Sequence, residues 1–466
     1  MSFQELPEIN EIQIAYIGGG SRNWAWVFMR DLALEGQLSG TVRLYDIDAA
    51  AALSNERIGN RLSSRDAPGK WRYETKETLK DALTGADFVV ISILPGTFDE
   101  MEADIGLPES CGILQSVGDT VGPGGILRAV RTVPMYVEIA EAIKAYSPEA
   151  WVINYTNPMS VCTSTLYKVF PEIKAFGCCH EVFHTQELMA RLLETECGIM
   201  GVKREEIHLN VLGINHFTWF DKISYRQKDL LPLYAAAAEK YEESGYAASE
   251  EHNDPENTFR NKNKVGFDLF RRYRMVPVAG DRHISEFLPP WYLKDRQTVA
   301  RYGFALTPVS WRKEEQKRLI DQAKRYADGE EEMVLEPSGE EGIRQIKALL
   351  GLGDFVTNVN LPNRGQIQGL PMGAVVETNV LLSRDSAQPV ISGRLPDRVN
   401  LLVRRHAEGQ ESLVKAGLTK NTGLAFSVFL NDPLTAIPIC QAETLFLKMM
   451  KATSSYLEGW DMNLYG

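Results

Sequence analysis

A chain of 466 residues, 44% hydrophobic and 24% charged, has room for a large core and two or three domains of ordinary globular composition. A net charge of −12 has the wrong sign for a nucleic-acid binder, yet leaves room for a small anionic ligand held by local cations. Six cysteines, two of them adjacent (Cys178 and Cys179), fit free thiols in a reducing compartment, and no leader or bilayer-length apolar run is visible, so a cytoplasmic, membrane-free location is expected.

In chain order, residues 12–17 read as a buried strand that runs at once into Gly18-Gly19-Gly20-Ser21-Arg22-Asn23 and a helical pattern over 24–35. Strand, glycine turn and helix N-terminus together make a phosphate site, because unpaired backbone N–H groups and the helix dipole favour an anion. Asn23 stands where G-x-G-x-x-G has its last glycine, so the turn needs support from its context. A second strand over 42–46 supplies it, ending in Asp46, an acid suited to a ribose diol that favours NAD over NADP. The plainer reading of Asp46 is a cap for a helix over 49–62.

Strands over 87–93, 150–154 and 173–178 complete a parallel set. The glycine-rich stretch 118–125 reads as a loop closing over a ligand ahead of a helix over 126–145. Strands alternating with helices predict a doubly wound, Rossmann-type α/β domain. Beyond residue 212 the pattern loosens. A charged, helix-prone stretch covers 230–256, and an exposed helix with a polar loop covers 316–340. Strands follow over 354–361 and 374–382, with long helices over 397–413 and 442–456. The expected division is an NAD-binding domain over 1–200 and an α+β domain over 201–466 for substrate, metal and oligomerisation.

The chemistry gathers where the strand over 173–178 stops. Gly177-Cys178-Cys179-His180-Glu181-Val182 puts a thiol, an imidazole and a carboxylate at the carboxyl edge of the sheet, where α/β proteins bind ligands. Cys179 and His216 are candidate metal ligands whose shell substrate oxygens and water would complete. With no CxxC pair, a structural zinc site does not fit. His180 suits a general acid, and His184 follows one helical turn later. Asn154 and Asn157 follow a strand and can hold sugar hydroxyls or the nicotinamide ribose. Asp281, Arg282 and His283 form a polar cluster in an apolar region. Each has a blander reading: core residues for Cys179 and His216, a helix cap for Asn157, a surface turn for 281–283.

Six stretches in order carry a family likeness: Gly18 to Ser21, Val117 to Gly125, Asn154 to Pro158, Cys179 to Val182, Gly213 to His216 and Leu361 to Gly365. Over nearly its full length the chain resembles glycoside hydrolase family 4, whose members need NAD and a divalent metal, usually manganese. The resemblance implies a lactate/malate-dehydrogenase-like fold and a homo-dimer or homo-tetramer. It also implies a redox route: hydride leaves sugar C3 for NAD, a base takes the C2 proton, the aglycone leaves C1, water adds, and the hydride returns.

By position, the resemblance makes Cys179 and His216 the metal ligands and His180 the acid. Asp281 becomes the base, with Tyr292 the alternative. Gly18, Gly19, Gly20, Ser21, Asp46 and Asn157 would hold NAD, and Asn154, Asp119, Glu181 and Arg282 the substrate. Cys-His-Glu-Val is similar to the form in the family's α-galacturonidases; phospho-sugar members carry an acidic or amide residue after the cysteine. A uronate needs a cation, and Arg128, Arg131 and Arg282 are the candidates. The competing readings are α-glucuronidase or α-galactosidase specificity, a 2-hydroxy-acid dehydrogenase, and a non-catalytic NAD-binding protein.

Overall fold

The computed structural model describes residues 8–65, 67–254 and 256–465. Six parallel strands come first: β1 (Ile9–Ile17), β2 (Leu38–Tyr45), β3 (Lys70–Thr75), β4 (Phe88–Ile91), β5 (Trp151–Asn154) and β6 (Lys174–Gly177). Their spatial order, β3-β2-β1-β4-β5-β6, is the doubly wound arrangement that the alternation of strands and helices predicts.

The burial of β1 shows why. Ile14 and Tyr16 enter one core with the helices Trp24–Leu34 and Ala49–Ser64. Ala15 and Ile17 enter another with Gly122–Tyr146 and Met159–Val169. A strand covered on both faces has to be apolar at nearly every position, as 12–17 is. Strand β3 escapes the sequence reading because it lies at the edge of the sheet: Trp71 and Tyr73 are buried while Lys70 and Arg72 face solvent.

The later strands are β7 (Ile207–Ile214), β8 (Phe217–Tyr225), β9 (Lys228–Asp229), β10 (Val276–Pro277), β11 (Phe355–Pro362), β12 (Ile367–Gln368), β13 (Val375–Ser383), β14 (Ser386–Pro389) and β15 (Gly393–Arg394). All but β12 and β15, which pair with each other, extend the first sheet to thirteen strands in the order β10-β8-β7-β13-β11-β6. Strands from the C-terminal part, β11 and β13, thus lie between β6 and β7. The expected domain boundary falls between the helix Glu181–Cys197 and β7, and the sheet runs across it. One row of residues crosses four strands, Gly177 to Asn360 to Glu377 to Gly213. It links the strand that ends before Cys179 to the strand that ends before His216.

Several expectations shift in detail. The helix expected from 126 begins at Gly122 with Pro123 in its first turn, so the last glycines of the 118–125 stretch are helical. Gly125 is required there, since a Cβ would lie 2.4 Å from the Thr120 carbonyl carbon. The stretch 230–256 resolves into Leu231–Lys240 and a single turn, Glu250–Asn253. The exposed helix expected from 316 starts at Val309, after Pro308. Among the described residues, no helix is long and apolar enough to cross a membrane.

Candidate active site

The glycine turn is strapped to the end of β2. Gly18 takes φ 93°, and a Cβ on it would lie 2.0 Å from the Ser92 carbonyl oxygen beyond β4, so only glycine fits. The N–H groups of Gly18 and Gly19 both donate to the Tyr45 carbonyl, and that of Ser21 to Gly18. Gly20 donates to Asp46 Oδ2 at 2.9 Å, which places the acid directly against the turn. The helix cap that Asp46 was open to providing comes instead from Asp48, which accepts from Ala51 N–H at 3.0 Å.

The helix Trp24–Leu34 begins behind this turn with no side-chain cap from Asn23 and no acid in its first turn. Its leading N–H groups are therefore left for an anion, which fits a dinucleotide pyrophosphate.

Across the sheet edge lies the thiol and imidazole group. Cys179 is partly exposed. Loss of hydration and the carboxylates Glu377 and Glu181 push its thiol well above the ordinary value, while the Asn215 amide beside it works the other way. His216 sits in the two-residue turn between β7 and β8, with φ 62° and almost no exposure. A left-handed histidine costs about 1–2 kcal/mol and is a strain that functional sites retain. Its Nδ1 lies 3.2 Å from the Thr120 hydroxyl, and its ring packs 4.3 Å from that of His283. Burial lowers both rings below the usual imidazole range, His283 to about 3.

Asn215 is fully buried beside the Cys179 thiol, and neither its nitrogen nor its oxygen makes a hydrogen bond of ordinary geometry. An orphaned buried amide between a thiol and an imidazole fits a metal or substrate oxygen that completes the polar contacts.

Glu181 joins the two halves. Its carboxylate accepts from Gly280 N–H at 2.9 Å and lies 3.5 Å from His283 Nδ1, 3.7 Å from His184 Nδ1 and 4.0 Å from His180 Nε2. Burial opposes ionisation of Glu181, but the imidazoles of His283, His184 and His180 outweigh it and hold the carboxyl well below its ordinary range. Metal-binding atoms of His180, Glu181 and His184 come within 4.8 Å of one another. His180 precedes the helix Glu181–Cys197, stacks on Trp24 at 5.6 Å and places Nδ1 3.2 Å from Glu340. It is a partly exposed imidazole between two carboxylates, Glu340 and the more distant Glu181, a setting suited to a proton donor.

The loop 116–121 supplies the opposite wall. Thr120 donates to Asp119 Oδ1 at 2.7 Å, and Asn157 Nδ2 lies 3.4 Å from Asp119 Oδ2. Arg128 Nε donates to the Asn157 carbonyl at 3.1 Å. Burial works against the Asp119 carboxylate, but His216, Arg128 and His283 bring it down to about 2. Glu286 pins the loop by accepting from Val117 N–H at 2.7 Å and Gly118 N–H at 3.0 Å.

Three expected site residues are used elsewhere. Asn154 accepts from Tyr136 and from Thr156 N–H, holding the strand end rather than a ligand. Arg131 is fully buried in a two-pronged pair with Asp104 at 3.1 and 2.5 Å, which leaves it no free prong for a uronate. Tyr292 donates to Asp268 at 2.7 Å within the core.

Asp281 begins a buried six-residue helix, not a surface turn, and its carboxylate accepts from Lys264 N–H at 2.8 Å and Gly266 N–H at 3.1 Å. It thereby caps the helix Lys264–Tyr273, whose own Asn263 makes no cap bond. Asp281 thus caps a helix, while burial pushes its carboxyl up to about 7, a value suited to taking a proton, so the base role expected of it stays open. Asp281→Asn is expected to lower unfolding stability by about 1–2 kcal/mol in a denaturant titration, through a weakened cap. A loss of turnover with unchanged stability would show Asp281 acting as the base.

His283, Asn215, Glu377 and Glu286 are site neighbours that the sequence reading did not assign. His283 carried a signal in its Asp-Arg-His triplet. Glu377 carried none, because a glutamate among apolar strand residues reads as one outward-facing position. Instead it is buried, donated to by Asn358 at 2.8 Å, and pushed up to about 8 by burial.

Two family models cover most of the chain: family 4 glycosyl hydrolase over residues 13–195, and the family 4 glycosyl hydrolase C-terminal domain over residues 211–435. The chain belongs to this family. An alpha-galacturonidase of Thermoanaerobacterium saccharolyticum is 58% identical over 97% of this chain and 98% of its own length. The solved structure of the Bacillus subtilis protein lplD superposes with a TM-score of 0.91 at 54% identity, covering 95% of this chain and 100% of that one. A 6-phospho-alpha-glucosidase from gut microorganisms, solved in complex with NAD and Mn2+, shares the fold at a TM-score of 0.80 and 19% identity over 97% of this chain and 100% of its own. Membership makes the chain a glycoside-hydrolysing enzyme on a Rossmann-type scaffold.

Proposed function

We propose that this family 4 enzyme hydrolyses α-galacturonides and uses NAD and a divalent metal, manganese first. The carrying observation is the orphaned Asn215 amide between Cys179 and His216, on the same sheet edge as the uncapped glycine turn. The name of the 58% identical relative supports the sugar, and the NAD and Mn2+ of the 6-phospho-alpha-glucosidase complex support the cofactors. Gly18, Gly19, Gly20 and Ser21 would bear the dinucleotide phosphates, Asp46 a ribose diol, and Cys179 with His216 the metal. When bound, NAD would accept and return the C3 hydride while the metal polarises the sugar's C2 and C3 oxygens.

The chain's own groups do the rest, with Asp281, its carboxyl pushed up to about 7 by burial, taking the C2 proton. Asn157 and Asp119 face one another at the wall of the cleft and orient sugar hydroxyls or the nicotinamide ribose. Glu181 stays ionised and holds His283 and His184 in place by contacts of 3.5 and 3.7 Å. His180 donates a proton to the departing C1 oxygen, with Trp24 and Glu340 fixing its ring. Of the three arginines open to the uronate carboxylate, Arg131 is consumed by Asp104 and Arg128 commits its Nε to Asn157, whereas Arg282 keeps a buried Nε with no acceptor, which favours Arg282.

With NAD, manganese and a thiol present, kcat/KM on aryl α-galacturonides should exceed that on α-galactosides, α-glucosides and 6-phosphoglycosides by ~10-fold or more, the worth of one charge-assisted contact. α-Glucuronides, which differ in the C4 hydroxyl, are the nearest competitor. Faster cleavage of a neutral hexoside would sink the uronate reading.

A further inference from the structure

We propose that Arg282 and Arg312 together form the seat for the substrate's carboxylate, with Arg312 of the helix Val309–Asp328 as a specificity-determining residue that the sequence motifs do not mark. This rests on the galacturonidase reading.

Arg282 leaves the loop wall through a short helix. Its guanidinium lies 5.0 Å over the Phe259 ring, and Nη2 donates to the Ser116 carbonyl at 3.2 Å and to the Thr307 hydroxyl. Its Nε is buried with no acceptor. Arg312 approaches from another helix, one turn after Thr307 and Pro308, and its Nε is likewise buried without an acceptor. Among the described residues, neither guanidinium is ion-paired with a carboxylate. Two other arginines do have carboxylate partners: buried Arg131 has Asp104 and largely buried Arg204 has Glu341.

Two cations whose buried N–H groups lack an ion-pair partner in contact are costly, and Glu286, Glu181 and Asp119 offset that for Arg282 only in part. Burial, then the charge of Arg312, brings Arg282 down to about 10, and burial lowers Arg312 as well. Arg282 stands over Phe259, whose ring packs 5.5 Å from that of Trp311, the residue before Arg312, and its bonds to Ser116 and Thr307 tie this corner to the loop that walls the cleft. An anion that brings its own oxygens would satisfy the two orphaned N–H groups and the repulsion at once. A monoanion fits better than a phosphate dianion, because Asp119 and Glu181 already put negative charge nearby, and a carboxylate's two oxygens match one N–H from Arg282 Nε and one from Arg312 Nε.

The test uses the full chain with NAD, manganese and a thiol. Wild type, Arg312→Met and Arg312→Lys are assayed on p-nitrophenyl α-galacturonide and on its methyl ester, which lacks the charge. Arg312→Met should raise KM for the acid ~10- to 100-fold with kcat changed only a few-fold, leave the ester's KM in place, and be partly rescued by lysine. An unchanged KM for the acid, or equal losses on acid and ester, would overturn the seat.

A second measurement needs no turnover: the melting shift given by free galacturonate, galactose or galactose 6-phosphate. Galacturonate should shift wild type more than galactose does, and the surplus should vanish in Arg312→Met. No surplus, or a larger shift from galactose 6-phosphate, would refute a carboxylate seat. If wild type binds galacturonate through Arg312 yet cleaves no galacturonide, the seat stands and the proposed activity fails.

Discussion

His216→Asn is expected to cut glycoside cleavage by ~1000-fold or more, since a Lewis acid supplies several kcal/mol and each ~1.4 kcal/mol is a factor of ten. Asparagine is chosen because it tolerates the left-handed backbone at this turn, φ 62°, so that the β7–β8 hairpin survives. Cys179→Ser should lose a comparable amount, because a hydroxyl is a poor substitute for a thiolate toward a divalent cation. Neither change touches the glycine turn, which is held by Tyr45 and Asp46, so NAD binding measured by fluorescence should persist in both variants.

Chelator should silence the wild type to the same degree, and added manganese should restore it, because two protein ligands hold a metal loosely. Full activity in chelator, or a His216→Asn enzyme within tenfold of wild type, would remove the metal role from this pair. The thiol's raised pKa sharpens the expectation: without a cation, burial and the carboxylates of Glu377 and Glu181 keep Cys179 protonated.

How much of this was legible in the sequence depends on the range of the interactions. The β1 strand, its glycine turn and the following helix are local, and the run 12–17 with Gly18 to Gly20 shows them directly. The convergence of Cys179 and His216 is not local. It depends on β11 and β13, from residues 355–383, inserting between the two strands that carry them. Nothing in either strand's alternation names its neighbour, so Glu377 and Asn360, which share the row with Gly177 and Gly213, stayed unassigned.

Asn154 and Arg131 were misplaced for the opposite reason. Polar residues at a strand end and on a helix near the cleft look available for ligands, and only the structure reveals that Tyr136 and Asp104 already occupy them. The sequence shows Asp281 only in part, since its cap on Lys264–Tyr273 spans 17 residues of chain. Arg312 shows the reverse. It lies on a helix whose charged run reads as a solvated face, yet its Nε is buried and unpartnered.

Turnover in deuterated water is expected to place deuterium at C2 of the released sugar. A glycosidase that works by single or double displacement acts at C1 and the departing oxygen and never breaks a carbon–hydrogen bond. The route proposed here breaks two, at C3 and C2. The C2 proton is acidified only while C3 is a ketone, so exchange at C2 reports the oxidation as well as the elimination. A base that exchanges with solvent before C2 is reprotonated leaves the label in the product. Substrate deuterated at C3 should turn over more slowly wherever hydride transfer limits the rate.

His180→Ala divides the same reaction by leaving group. It should slow alkyl galacturonides far more than nitrophenyl ones, by ~100-fold against a few-fold, because general acid help matters most when the departing oxygen is basic. If the product carries no C2 deuterium and C3 deuteration leaves the rate alone, the redox route fails for this chain, and Cys179, His216 and the glycine turn need another purpose. A C2 label together with intact turnover of alkyl galacturonides in His180→Ala would keep the route and transfer the acid's role to another group at the cleft.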